Sequence, residues 1–188
     1  GFGKIAFASA IMVWIQTIAD WGFNLTATRD VALNRENPQK VSEIFSNVLW
    51  ARVLLMLVGF VFLLVLTVTI PKFRANTAII LITFLMVPGR ILFPDWFFQA
   101  IEKMRFTTIF NVVMKLLFTI LVFVFIKQPE DYILQPLFTS LGYIVCGGVS
   151  LYLIVCKWGV RICRPNLKNI YLTIKNSTDV FINNLAPN

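Results

Sequence analysis

The chain has 188 residues, of which 58% are hydrophobic and 14% charged, with 17 lysines and arginines against 9 acidic residues, no histidine and a net charge of +8. A typical soluble domain carries about 25% charged residues, so this balance argues against a soluble fold, and disorder or a nucleic-acid-binding surface are poor first readings. The apolar residues are also clustered: residues 53–71 and 132–156 contain no formal charge, runs that fit membrane spans of about 20 residues.

The opening Gly1-Phe2-Gly3-Lys4 in place of an initiator methionine, and the close at Asn188 after an unfinished amphipathic stretch, read as a fragment. No export signal is visible. The first apolar segment runs over about residues 5–25, with Asp20 near one end, followed by a charged stretch over 28–43. Residues 34–40 break that stretch. Residues 41–48 then resume as an amphipathic helix that either lies at the membrane surface or forms the solvated first turns of the next span. The second span covers about 49–70, stopped by Pro71-Lys72-Phe73-Arg74, and the third about 75–94. Their short link makes them an antiparallel pair. A fourth segment, about 107–126, carries Lys115 and ends at Lys127-Gln128-Pro129-Glu130-Asp131; the fifth runs over about 132–156. Residues 165–176 are mixed and too irregular to assign, a connector toward a further span. The fold class expected is therefore all-α, a polytopic transmembrane bundle. Residues 1–156 form a partial N-terminal bundle of about five spans, and 157–188 a cytoplasmic connector with the start of the next span.

Basic residues accumulate in short cytoplasmic connections. If the first span runs inward, Arg29, Arg35, Lys40, Arg52, Lys103, Arg105, Lys115, Lys157, Arg161, Arg164, Lys168 and Lys175 fall inside, against Lys4, Lys72, Arg74 and Lys127 outside. Residue 1 then starts on the outer side and the basic tail is cytoplasmic. Trp21, Trp50, Trp96 and Trp158 fall near the same ends, as an interfacial aromatic belt requires.

A charge facing lipid at mid-bilayer costs about 2.5 to 3.5 kcal/mol, so Arg90 and Lys115 need a protein-lined, watery or phosphate-containing environment. Arg90 sits in Val87-Pro88-Gly89-Arg90-Ile91-Leu92-Phe93-Pro94-Asp95, where two prolines and a glycine weaken the helix. Broken helices that line cavities recur in transporters; the alternative is a kink whose arginine snorkels to an interface. Asp95 is near enough in sequence to approach Arg90, although spacing alone does not establish an ion pair. Asp20 and Arg52 are read as boundary charges at the ends of their own spans. Arginine offers planar, multidentate hydrogen bonding to phosphate oxygens, which makes an anionic amphiphile a reasonable cargo. The same charges could instead pair with acidic residues to fix bundle packing. Cys146, Cys156 and Cys163 are assigned to packing. With no histidine and no thiolate cluster, no metal site or cofactor is expected, and the absence of a nucleophile–base set argues against an enzyme.

Several motifs then carry a resemblance: Gly1-Phe2-Gly3 before an apolar span, the run from Asp20-Trp21-Gly22-Phe23-Asn24 to Arg29-Asp30, Phe93-Pro94-Asp95-Trp96-Phe97-Phe98-Gln99-Ala100-Ile101-Glu102-Lys103-Met104, the turn at 127–132, and Arg164-Pro165-Asn166-Leu167-Lys168. In these the chain resembles the bacterial O-antigen and polysaccharide flippases of the multidrug/oligosaccharidyl-lipid/polysaccharide exporter superfamily. Ala100 stands where the family often has glycine. The resemblance covers almost the whole chain, from just before the family's second span toward its seventh. It implies an inverted-V transporter of two helical bundles in the inner membrane, moving undecaprenyl-diphosphate-linked oligosaccharide by alternating access, with Arg90, Lys115, Asp95 and Arg29 toward the substrate. Asp20 or Asp95 are the candidates for coupling to an ion, proton or sodium. The partners implied are the polyprenyl-diphosphate glycan, the bilayer and a polysaccharide polymerase complex. For Arg29-Asp30 a loop ion pair is an equal alternative, and for Glu102 and Lys103 a solvated helix end. The rival functions are an exporter of drugs or other amphiphiles and a membrane scaffold of a polysaccharide-assembly complex.

Overall fold

The computed structural model describes residues 2–128 and 133–185; residues 129–132, which hold most of the turn assigned to 127–132, lie outside the described residues. Among the described residues there is no strand, and ten helices follow in order: α1 (Phe2–Asp20), α2 (Phe23–Leu33), α3 (Pro38–Thr69), α4 (Pro71–Arg74), α5 (Thr77–Phe84), α6 (Met86–Leu92), α7 (Asp95–Ala100), α8 (Met104–Phe125), α9 (Leu134–Trp158) and α10 (Leu167–Leu185). Five helical segments are long and apolar enough to cross a membrane: Gly3–Leu33, Pro38–Thr69, Thr77–Ala100, Met104–Phe125 and Leu134–Trp158. The chain is thus an all-α, multi-pass membrane bundle, with the five spans that the hydrophobic runs announce.

Local chemistry explains where these helices start and break. At the head of α3 the Asn37 side chain accepts a hydrogen bond from Lys40 N at 3.1 Å, and Pro38 occupies the first helical position. No breaker follows before Pro71, so residues 41–48 are the first turns of the second span and not a separate surface helix. The first span continues past its expected end because Trp21 (φ 36°) and Gly22 (φ 73°) turn the chain without stopping it, glycine entering the left-handed region at no steric cost. Beyond that turn α2 buries Phe23, Ala27 and Val31.

The third span is broken twice. Pro88 has no N–H to donate to the carbonyl of Phe84, four residues back, and Phe84 is where α5 stops. Pro94 forces the residue before it out of the helical region, and Phe93 has φ −99°, ψ 90°. Such breaks are tolerable in a membrane only where protein covers them. The cover is α9: a Cβ built on Gly89 would stand 2.6 Å from Ile144 N, and one on Gly147 would stand 2.5 Å from the Gly89 carbonyl oxygen. Here α6 and α9 meet backbone to backbone, the close approach that small residues allow between membrane helices.

One end of the bundle is held by aromatic rings. Phe45 of α3 lies 5.7 Å from Trp96 and 5.4 Å from Phe97 between ring centroids, and Phe98 meets Phe106 at 5.9 Å and Trp158 at 5.8 Å. The segment Asp95–Ala100 thereby plugs the junction of four spans. Trp96 is 2% exposed, so it belongs to this core and not to an interfacial belt; Trp21, Trp50 and Trp158 pack against the same cluster partly buried.

The chain after α9 is pinned to this end too. Ser42, Ser46 and Trp50 project from one face of α3 at four-residue intervals. Arg161 N donates to Ser42 Oγ at 3.1 Å, Cys163 N to Ser46 Oγ at 2.8 Å, and Trp50 Nε1 to the Cys163 carbonyl at 3.0 Å. Beyond this clamp Asn166 caps α10, accepting from Lys168 N at 3.0 Å, and residues 167–185 form one helix where the sequence looked irregular. That helix packs on α2 and α3, and Thr26 and Ser177 share a buried hydrogen bond of 2.8 Å. The cysteines are free thiols; Cys146 is buried as packing requires, whereas Cys156 and Cys163 are exposed.

Arg35, in the α2–α3 connection, reaches Glu102, in the α7–α8 connection, at 2.9 Å. Glu102 takes a left-handed φ of 56° at the end of α7, where Lys103 N bonds to the Phe98 carbonyl at 2.8 Å and Glu102 N to that of Gln99 at 3.0 Å, the double closure of a Schellman end. This glutamate is thus an exposed helix end, as one reading had it, but one carrying an ion pair. Together with the clamp at 161–163, the pair gathers the α2–α3, α7–α8 and α9–α10 connections at one end. At the other, Lys72 lies over the Phe7 ring, 5.1 Å from its centroid.

Two outcomes follow. Gly147→Ala should destabilise the bundle by about 1 to 3 kcal/mol, the cost of overpacking a tight contact, and a lowered thermal midpoint in detergent would register it; Gly148→Ala is the control, since a Cβ there meets nothing within 4 Å. Glu102's carboxyl is held below the usual glutamate range, first by its hydrogen bond from Arg35 and then by that residue's charge. Its contribution is therefore complete above the unfolded-state glutamate pKa and is lost as pH falls through the lowered folded value. Arg35→Gln should weaken the fold slightly at neutral pH, leave it unchanged in strong acid, and move the Glu102 titration upward in carboxyl-detected NMR.

Candidate functional site

Where the breaks of the first and third spans meet, a cavity of about 270 Å³ opens between the helices, lined by Asp20, Asn24, Arg52, Arg90, Phe93, Asp95, Asn111 and Tyr143. Each lining residue is there for a structural reason. Asp20 is the last residue of α1 and Asn24 stands just past the Trp21–Gly22 turn on α2. Arg90 follows Gly89, whose contact with α9 sets it beside Tyr143, and Asp95 opens α7 immediately after Pro94. Asn111 comes from α8.

The four charges in this cavity are held differently. Arg52 is 4% exposed, and its Nη2 donates to Asp20 Oδ1 in an ion pair that joins α3 to α1. By rise per residue Arg52 lies roughly 20 Å along α3. A guanidinium buried this fully, away from water, requires a counter-charge. Asp20 and Arg52 are therefore partners, and not two boundary charges solvated separately. Arg90 is exposed on the cavity side; its Nη2 donates to Tyr143 Oη at 3.1 Å, and its guanidinium carbon lies 4.9 Å from the Tyr143 ring centroid. That double contact fixes the orientation of the arginine without neutralising it. Asp95 Oδ1 accepts from Trp96 N at 2.9 Å. Among the ion pairs of the described residues Arg90–Asp95 does not occur, although the two share the cavity wall.

Of the residues singled out from the sequence, Arg90, Asp95 and Asp20 are brought together here. Lys115 is one turn along α8 from Asn111 and lines a separate groove of about 130 Å³ with Met114, Phe118, Phe138, Thr139, Gly142 and Tyr143. Tyr143 is the shared wall between groove and cavity. Arg29 is remote from both. It pairs with its neighbour Asp30 at 3.0 Å on the rim of a cleft of about 370 Å³ between α2, α3 and α10, where Lys40 pairs with Glu43 at 2.9 Å.

Sequence reasoning passed over Arg52, Asn24, Asn111 and Tyr143 as site residues. Readable signals existed for two of them: Asn111 and Lys115 are four apart on an otherwise apolar helix, hence on one face. Arg52 carried a signal as well, a charge close to an uncharged run, but its partner lies across a helix break.

The chain matches the family described as "Polysaccharide biosynthesis protein" over residues 1–188. Among curated relatives it is 27% identical over 185 residues to a protein of Escherichia coli (strain K12) and 30% identical over 183 residues to one of Shigella dysenteriae, each bearing the name "Putative O-antigen transporter". These alignments cover 98% and 96% of the chain but 45% of each relative, so the chain spans about half the length of the curated relatives it matches. No solved structure matches it significantly. On the match along its whole length, this broken-helix membrane bundle belongs to the polysaccharide biosynthesis protein family.

Proposed function

We propose that the chain forms one bundle of a transporter that carries a polyprenyl-diphosphate-linked oligosaccharide, an O-antigen or other surface-polysaccharide unit, across the bacterial inner membrane. The observation that carries this reading is the convergence of Asp20, Arg52, Arg90 and Asp95 on one cavity inside a bundle of apolar spans. Charged groups at that depth mark a pathway or a binding site. The names of the relatives supply the cargo class. Arg90, oriented by Tyr143 and free of an acidic partner among the described residues, is the group that meets the diphosphate first; the polyprenyl tail stays in lipid.

In this reading the crowded basic end, with Arg35, Lys40, Lys103, Lys157 and Arg161, faces the cytoplasm. No covalent chemistry is needed. Transport replaces water around the phosphates with guanidinium donors and then rearranges the helices about the broken spans. If an ion drives the cycle, Asp95 is the better coupling carboxylate, because Asp20 is already matched by Arg52. Lys115 acts at the neighbouring groove, and Arg29 is assigned to the structure of the cleft between α2, α3 and α10 rather than to the substrate route.

In liposomes containing the complete protein, Arg90→Gln should lower the rate at which a labelled polyprenyl-diphosphate oligosaccharide becomes accessible on the far leaflet by about tenfold or more, the worth of a charge-assisted contact. Arg90→Lys should retain part of it, and Lys115→Gln should lose less than Arg90→Gln. Undiminished transport by the Arg90→Gln, Lys115→Gln double variant would reject the assignment.

A further inference from the structure

Arg52 has more hydrogen-bonding capacity than the protein uses. Its guanidinium presents five N–H donors in a rigid plane. Nη2 is taken by Asp20, while Nε and Nη1 are buried and have no protein partner among the described residues. The side chain is 5% exposed and lines the cavity that Arg90 also lines. Asn24 Oδ1, on the same wall, is likewise buried without a partner. An arginine buried this deeply with donors unmatched is unfavourable unless something in the cavity accepts from them.

We propose that Arg52 is a second, deeper oxyanion-binding residue of the cavity, receiving a phosphate oxygen on Nε and Nη1, and that Asp20 is the internal carboxylate with which that phosphate competes. The inference rests on the cavity being the anionic head-group site. It adds to that reading a residue and a rule. Arg52 and Asp20 form a closed pair, and Arg90 and Asp95 bring the lining charges to two of each sign. An incoming phosphate therefore meets no net positive field. Its binding depends on directed donors, and it shares Arg52 with a carboxylate that repels it. Arg90, at the exposed side, makes first contact; Arg52, nearly inaccessible, holds the anion once it has entered. The same chemistry fits the diphosphate of a lipid carrier or free phosphate, and the two sources are separable by experiment.

The test uses the complete protein in lipid nanodiscs, titrated calorimetrically with inorganic pyrophosphate and, in parallel, with a short-chain prenyl diphosphate. Arg52→Gln should weaken pyrophosphate binding by about tenfold or more, and Asp20→Asn, which removes the competitor while keeping the shape, should tighten it several-fold. Since Arg52→Gln leaves the partly buried Asp20 without its partner, the Asp20→Asn, Arg52→Gln double variant, a neutral pair, carries the test if the single variant misfolds. It should bind as weakly as Arg52→Gln. Tighter binding of the prenyl diphosphate than of pyrophosphate, lost in the double variant, identifies a lipid-borne phosphate; equal affinities, also lost, identify a free one. Wild-type affinity in the double variant overturns the role of Arg52, and if Arg90→Gln still abolishes binding then the cavity reading stands without it. No pyrophosphate or prenyl-diphosphate binding by the wild type, with transport undiminished in Arg90→Gln, overturns both.

Discussion

The contact between Gly89 and Gly147 is the constraint on which the rest of this bundle depends. A membrane span interrupted at Leu85 and again at Phe93 exposes backbone groups that lipid cannot satisfy, each at a cost of several kcal/mol. The structure resolves this by burying the broken span more than any other: 44% of its apolar window is inside the protein, against none of the window in α8. Only glycine at both positions lets α6 and α9 come close enough for that cover. The same contact sets Arg90 beside Tyr143, one residue past Gly89, so the feature that makes the break affordable also aims the charge.

A second consequence is the division of labour between the two ends. Around Trp96, Phe97 and Phe98 the rings of four spans interlock, and the segment from Val160 to Cys163 is strapped across α3 by two serines and a tryptophan. Edge-to-face and tilted ring pairs add about 0.5 to 1.5 kcal/mol each beyond area burial. That end is therefore the rigid one, and α7, short as it is, is held on all sides. The cavity opens beside it, lined by residues from the breaks of the first and third spans together with α3, α8 and α9.

How much of this the sequence discloses depends on the range over which each feature is decided. The spans follow from local composition, and the breaks at Pro88 and Pro94 from the geometry of two residues, so both were legible. The continuation of the first span through α2 was not, because Arg29 and Asp30 look like the end of a membrane segment while Ala27 and Val31 on the opposite face are buried. The helix at 167–185 escaped for a related reason: its packed face mixes Ile170 with Ser177, and the serine is accommodated by Thr26, far earlier in the chain. The ion pair between Asp20 and Arg52 joins residues 32 apart across the Trp21–Gly22 turn. Either charge alone sits near a span boundary, where water or headgroups would accept it; only the fold shows that Arg52 is turned inward.

That pairing changes what the net charge of +8 means. The excess lies mostly in the connections gathered at one end, whereas the cavity holds two arginines and two aspartates. A cavity with balanced charge does not select an anion by long-range attraction, as a uniformly basic one would. Anion binding there, as proposed, would depend on which donors are directed inward and which are already engaged. Removing one member of a buried ion pair costs about 3 to 5 kcal/mol, because the other is left uncompensated. Asp20 is 36% exposed but Arg52 is buried, so separating them by a shift of α1 relative to α3 leaves the guanidinium uncompensated unless another charge takes the vacated place. A bound phosphate on Arg52 is such a charge. On the role proposed for Arg52, the position of the first broken span would be tied to occupancy of the cavity, the coupling between cargo and helices that an alternating-access cycle would use.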